Sequence, residues 1–330
     1  MIKKFYKLLF YGIFISCIFP RAVEGKCNFN SSEYIEELNS PNNLVNIDIK
    51  TPKTRKYQVN FLKTLVSKKV TIPKTLKKKF NANFEVKYKF GTCKYKGKIW
   101  QNGDFKDHLT FKNGRPVRSI NVKLNDGNIL NAVRFKILIP ETRNSLNEIL
   151  GSLILKEMGY ITPETFQVSA TVNNVQTNMI FQEDSRKEML ERNKRREGPI
   201  FEGDETKLWG NDQYFLLNSF WSSLARLINR DWYLKGESSQ FIVLNSFGRL
   251  QNSYLYHIFD ERTKYYYYLN PNSSTSKIFP DYHFLMMAMN GQHALTAHNR
   301  KFYFNSFINE FELIYYDGNF KLNHDLSINQ

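Results

Sequence analysis

Apolar positions along the chain change period several times, and each change marks an element. From Val86 to Leu138 they alternate with polar ones: Val86-Lys-Tyr-Lys-Phe90 and Ile120-Asn-Val-Lys-Leu124 put every second side chain on one face, as half-buried strands do. Asp126-Gly127-Asn128 before Ile129 is a hairpin turn signal. The period then lengthens. Leu146, Ile149, Leu150, Leu153, Ile154 and Met158 recur at helical spacing up to Gly159, with Asn144 or Ser145 placed to cap the helix after the Pro140–Asn144 loop. Phe166 to Val172 reads as a strand, Asn173-Asn174 as the turn to a partner running through Phe181, and Asp184 to Arg195 as a short charged helix stopped by Gly198-Pro199.

The second half opens helically from Tyr214 to Ile228, where Phe215, Leu216, Phe220, Leu224 and Leu227 keep a 3.6 period. Leu244 to Leu269 is rich in Tyr and Phe, with Gly248 and Asn252 as turn residues, and Phe284 to Met289 reads as a buried helix. Lys301 to Phe304 and Phe311 to Tyr315 are strands joined by a turn over Asn305 to Asn309. The sum is an α+β protein: a strand-rich first lobe containing one long helix, and a second lobe that begins helically.

Composition narrows the class. The 330 residues are 42% hydrophobic and 15% aromatic, enough for a packed core and inconsistent with wholesale disorder. Three cysteines with no CxxC pair exclude a disulfide-dense scaffold and most structural zinc modules. The net charge of +16 is the one extreme value. Asn, Lys, Ile, Phe and Tyr are abundant together, as AT-rich codons would make them, and much of the excess lies in the first 79 residues, so no nucleic-acid partner is expected.

Lys3, Lys4 and Lys7 precede an apolar run from Leu8 to Phe19, followed by Pro20 and Ala22-Val-Glu-Gly25. This is the layout of a secretory signal peptide spanning 1–25, too short to cross a bilayer; an uncleaved anchor and lipidation at Cys17 are the other readings. The mature chain is expected to be secreted, periplasmic or associated with the cell envelope, and not transmembrane after cleavage. It keeps Cys27 and Cys93, which are either one disulfide or two buried thiols. Residues 26–95 read as a basic extension: Lys50 to Lys79 holds eleven Lys or Arg and no acid. That stretch is either a solvated basic helix or a surface for anionic envelope material.

No Walker A loop, GxSxG elbow, HExxH or GxGxxG occurs. The densest polar cluster runs from Gln292 through His293, His298 and Asn299 to Asn305, and resumes at Tyr315-Tyr-Asp317. The hairpin between them would bring Asn299 and Asp317 together as oxygen ligands for Mg²⁺ and phosphate. The alternative is that His293 and His298 are structural and Asp317 serves a turn before Gly318. In the first lobe, Lys123, Arg134 and Lys136 on strands, Glu148 and Glu157 on the helix, and Glu183 are the charged groups able to hold a polyphosphate.

Several segments resemble the spore-coat-protein-H (CotH) kinase family. They are Trp100 to His108, Ile120 to Leu124, Val133 to Asn144 with Asn147-Glu148, Glu183 through Glu205, His298 to Asn305, and Tyr315-Tyr-Asp317. The resemblance spans about residues 96 to 320. It implies an atypical protein-kinase-like two-lobed fold, with an N-lobe over 96–208 and a partial, incomplete helical C-lobe over 209–330. It also implies ATP with Mg²⁺ or Mn²⁺, and phosphate transfer to Ser or Thr of secreted or envelope proteins. Carried over by position, Asn299 and Asp317 match metal ligands, Lys123 and Arg134 the phosphate-contacting base, Glu148 its helix partner and Glu183 a carboxylate near the nucleotide. The family's catalytic Asp is replaced by Gln292-His293-Ala294, which makes His293 the candidate base or points to a catalytically inactive pseudokinase acting as a binding protein. Only thirteen residues follow Asp317, fewer than the family's second lobe requires.

Overall fold

The computed structural model describes residues 26–69, 71–203, 225–259, 269–270, 278–296 and 298–322. The signal-peptide segment 1–25, Asp204 and Glu205, and most of the helix expected over Tyr214–Ile228 lie outside the described residues.

The strands are β1 (Lys26–Cys27), β2 (Leu44–Lys50), β3 (Phe80–Tyr88), β4 (Gly91–Gln101), β5 (Leu109–Lys112), β6 (Arg115–Arg118), β7 (Ile120–Leu124), β8 (Arg134–Leu138), β9 (Thr165–Val172), β10 (Val175–Glu183), β11 (Ile200–Gly203), β12 (Ala225–Leu227), β13 (Lys301–Asn305) and β14 (Glu310–Ile314). The helices are α1 (Ile35–Leu38), α2 (Thr54–Leu65), α3 (Leu146–Glu157), α4 (Lys187–Arg192), α5 (Arg230–Tyr233), α6 (Glu237–Phe259) and α7 (Ile278–Ala288).

Strands β4-β3-β2-β9-β10-β8-β7 pair in that order, and β7 pairs back onto β4, so the sheet closes as a seven-stranded barrel. All of these pairings are antiparallel except β2 with β9. Alternation fills the interior: on β3 every second residue, Ala82, Phe84, Val86 and Tyr88, is buried, and these meet Ile47, Ile49, Ile120, Val122, Phe135, Ile137 and Phe181 from the other staves. Closure needs β4 to serve two partners on one edge. Residues 93–94 pair with β1 and residues 97–101 with β7. Gly97 stands at that seam, where an added Cβ would lie 2.5 Å from the Lys123 carbonyl oxygen.

Two expectations are corrected by this topology. The fold is not the two-lobed, protein-kinase-like arrangement with an incomplete helical C-lobe that the resemblance implied, because the strand-rich part closes on itself as a barrel. Residues 26–95, set apart as a basic extension, instead supply β1 to β3, α2 and the first residues of β4. Their apolar alternation, with Tyr57 and Phe61 of α2 buried, gives them a core face that a linker would lack. Basic side chains take the solvent side, so the lysine count had masked the strand pattern.

Beyond the barrel, β12-β11-β13-β14 form a second sheet. One face, with Phe201, Phe302, Phe304, Phe311 and Leu313, packs against Val243 and Leu250 of α6 and Phe279, Tyr282 and Met286 of α7. The other carries Ile200, Tyr303 and Ile314 onto Ile161, Met189 and Leu190. β11 precedes the expected lobe boundary yet pairs with β13. Helix α6 runs through Gly248 and Asn252, both read as turn residues; burial of Val243 and Leu250 outweighs the weak helix propensity of those two side chains.

Cys27 and Cys93 form a disulfide between paired positions of β1 and β4. The loop it closes contains β2, α2 and β3, and for a separation of 66 residues the chain-entropy contribution is about 4 kcal/mol. Cys27→Ser with Cys93→Ser is expected to lower the urea midpoint by a corresponding amount without changing the far-UV circular dichroism at low denaturant.

Candidate functional site

The site forms where the outer face of the barrel meets α3 and the segment after β14. On β8, Phe135 and Ile137 point into the barrel, so Lys136 points out. Its register partners are Asn121 on β7 and Gln182 on β10. This row would be solvated on an open sheet, but here Glu148 of α3 lies against Gln182 and Tyr316, after β14, against Lys136. Lys136 and Gln182 are buried.

The buried charged groups have defined neighbours. Glu148, fully buried on α3, accepts from Gln182 Nε2 at 3.0 Å and from the Tyr315 hydroxyl at 2.7 Å. Burial pushes its carboxyl up to about 7, against the opposing pull of Arg143. Lys136 Nζ lies 3.3 Å from the Tyr316 hydroxyl, and Lys301 Nζ sits 3.6 Å from the centroid of the same ring, so two ammonium groups flank Tyr316. Burial lowers the Lys136 pKa while Asp184 resists the change. Burial alone would raise the Asp184 carboxyl, but Lys136, Arg186 and Lys301 outweigh it and hold it at about 2.

Asp317 occupies the centre. Its backbone is left-handed, with φ of 51°, a conformation Asp tolerates better than most residues. Its Oδ2 lies 3.2 Å from Arg143 Nη2 and 3.8 Å from His293 Nε2. Arg143 is buried and Asp317 nearly so, whereas the His293 side chain is 45% exposed. Asn299, buried, donates through Nδ2 to the His293 carbonyl oxygen at 3.1 Å and thereby fixes the turn that presents this histidine. His298 lies 6.0 Å from His293 between ring centres, its pKa lowered by burial and by His293. Behind Arg143, His108 is buried and held at about 4, first by burial and then by the guanidinium.

Two contacts hold Asp317 in place. Asn144 does not cap α3 with its side chain; its Nδ2 donates to Asn319 and to the Phe320 carbonyl oxygen. Phe320 stacks on Tyr315 at 5.1 Å and fills a socket whose walls are glycines: a Cβ at Gly151 would stand 2.0 Å from its ring, and one at Gly291 2.5 Å.

The structure therefore brings together His293, Asn299, Asp317 and Glu148 of the residues singled out by sequence. It does not bring in the others. Lys123 is exposed on β7, and its register partner Arg134 turns to Asp231 at 3.5 Å. Glu183 is buried but paired with Arg192, which binds it through both terminal nitrogens, and it accepts from the Glu164 amide at 3.2 Å. Lys136 takes the position for which Lys123 and Arg134 were chosen. Arg143, Asp184, Gln182 and Tyr316 carry no local motif and were not chosen.

The Asp317 carboxylate and the Asn299 amide oxygen are donors of the type Mg²⁺ takes together with phosphate and water, although Asp317 is ion-paired with Arg143. Among the described residues no group of three or more His, Cys, Asp or Glu converges as a protein-only metal cage, and no helix is long and apolar enough to cross a membrane. Buried polar atoms without a hydrogen-bond partner gather nearby: Arg143 Nε, His108 Nδ1, Gln182 Oε1 and Ser152 Oγ.

No protein-family profile and no curated protein matches the chain.

Glu148 gives a direct test of this electrostatic picture. A carboxyl whose folded pKa is about 7 rather than the ordinary 4.5 binds its proton more tightly in the folded state. Its contribution is complete below about pH 4.5 and lost as pH rises through 7. Glu148→Gln is therefore expected to gain on wild type by roughly 2–3 kcal/mol between pH 4.5 and 8, read from urea midpoints at the two pH values.

Proposed function

We propose that the protein is an exported phosphotransferase that moves the γ-phosphate of ATP to Ser or Thr hydroxyls of secreted or envelope proteins. The observation that carries this reading is the convergence of His293, Asn299 and Asp317 above a buried layer of Lys136, Arg143, Asp184 and Glu148. Half-exposed His293 is placed to accept the hydroxyl proton, with the Asp317 carboxylate behind it to stabilise the imidazolium that results. Lys136 and Arg143 supply positive charge for phosphate oxygens in a site where burial strengthens it. Asn299 and Asp317 are the residues that would hold Mg²⁺ or Mn²⁺, which when bound neutralises charge on the transferring phosphate. Export is supported by the apolar N-terminal run and by the Cys27–Cys93 disulfide, a bond typical of oxidising compartments.

The test is phosphate incorporation from γ-labelled ATP, with Mg²⁺ or Mn²⁺, into the chain itself and into an envelope extract. Label on Ser or Thr supports the reading; a folded protein that neither incorporates label nor binds ATP with metal rejects it.

One observation favours a second reading, a binding protein without catalysis: Asp317 is already neutralised by Arg143. In that case the exposed basic face of α2, with Arg55, Lys56 and Lys63, would attach the protein to anionic envelope polymer. Reversing these three charges would release it from the envelope while Asp317→Asn would not. Deleting the segment is unsuitable, because Tyr57 and Phe61 belong to the core.

A further inference from the structure

A cavity of about 360 Å³ lies between α2, the β5–β6 hairpin and the β9–β10 turn. Its walls combine apolar side chains, among them Val117, Val175 and Met179, with a small group of buried donors. Arg118 is 4% exposed. Its guanidinium lies 4.0 Å from the centroid of the Tyr57 ring and 5.0 Å from that of Phe61, and donates only to neutral oxygens, Asn60 Oδ1 at 3.2 Å and the Tyr57 carbonyl at 2.8 Å. Among the described residues no carboxylate pairs with it. A buried cation without a counter-charge is costly, since neutral hydrogen-bond acceptors and ring faces replace its hydration only in part.

Three polar atoms of lining residues are buried without a partner: Arg118 Nε, Asn173 Nδ2 and the Tyr57 hydroxyl beside the guanidinium. All three can donate. The turn fixes the second of them: Asn173 and Asn174 both have positive φ, 48° and 68°, the geometry of a tight two-residue hairpin. Asn173 Oδ1 is used by the Thr51 amide at 2.9 Å and the Thr51 hydroxyl at 3.1 Å, which leaves only the amide nitrogen for a ligand. The acidic side chains common elsewhere on the protein are missing from this lining, and Arg115 adds a second positive charge at the rim.

The geometry points to a binding site for a small organic monocarboxylate, its carboxyl group held by Arg118, Tyr57 and Asn173 and its apolar body against Val117, Val175 and Met179. One unpaired guanidinium matches one negative charge. Three donors match the lone pairs of two oxygens, and the apolar wall selects a carbon chain or ring over an inorganic anion. A water molecule would satisfy the donors but leave the charge uncompensated.

Calorimetric titration of the full chain with hexanoate tests this, with 1-hexanol and inorganic phosphate as comparisons. Hexanoate is expected to bind with one site, at least about tenfold more tightly than either comparison, because it alone supplies both the charge and the apolar chain. Arg118→Gln should abolish binding, but Arg118 also ties α2 to β6, so a second variant is needed. Asn173→Asp keeps the Oδ1 bond to Thr51 and a residue type that accepts the left-handed backbone, while replacing the donor by a negative oxygen. It should abolish hexanoate binding with its melting temperature retained. Absence of hexanoate binding to wild type, equal binding of phosphate, or undiminished binding to Asn173→Asp would each overturn the assignment.

Discussion

Asp317→Ala is expected to reduce phosphate incorporation by roughly 10²–10³-fold, the usual scale for loss of one charged group from a transition-state site, and to destabilise the fold as well. Arg143 is the reason for the second effect. With Asp317 gone, a guanidinium that is only 8% exposed has lost its ion-pair partner, a change that costs about 3 kcal/mol. The two effects separate in Asp317→Asn. Asn accepts the left-handed backbone and can still accept a hydrogen bond from Arg143, though it leaves the guanidinium charge uncompensated, so part of the stability should return while transfer stays low. Equal transfer by wild type and Asp317→Asn would mean that the carboxylate has no part in the chemistry.

The second large effect belongs to Phe320, an apolar ring with no part in the chemistry itself. It is fully buried, stacked on Tyr315 and enclosed by Gly151 and Gly291. Truncation to alanine leaves a cavity that the glycine walls have no side chains to fill, and is expected to cost about 3–5 kcal/mol. Because the ring anchors the segment that carries Asp317, Phe320→Ala should also lower transfer more than its stability loss explains. The same displacement can be produced from the other side. Gly151→Leu, whose Cβ would already overlap the Phe320 ring, should lower both the melting temperature and transfer, and the double variant with Phe320→Ala should recover part of the stability, since the ring and the new side chain compete for one space.

Individual elements were legible where one period governed them. The α3 helix, the β9–β10 hairpin with its Asn173-Asn174 turn, and the β13–β14 pair occur where the spacing of apolar residues places them. The barrel was not legible, because its closure depends on β4 pairing with β7 and on β2 lying parallel to β9, contacts between distant strands that alternation alone does not encode. The site followed the same division. His293, Asn299 and Asp317 belong to neighbouring elements of one hairpin, and Glu148 to a helix with a clear register. The buried base was harder to place: Lys123, Arg134 and Lys136 all lie on strands with the same outward parity, and only the covering of the Asn121–Lys136–Gln182 row by α3 and the segment after β14 distinguishes the third. Arg143 sits in a loop that no period describes, although it controls both Asp317 and Glu148.

If the cluster around Asp317 binds ATP with a divalent metal, the two together should stabilise the fold more than either alone. Thermal denaturation of the full chain with ATP and Mg²⁺ together, compared with each alone, tests it most directly, using Asp317→Asn as the matched variant. A rise in melting temperature for wild type that requires both components and is lost in Asp317→Asn is the expected result. No shift in wild type, or an equal shift in the variant, would contradict it.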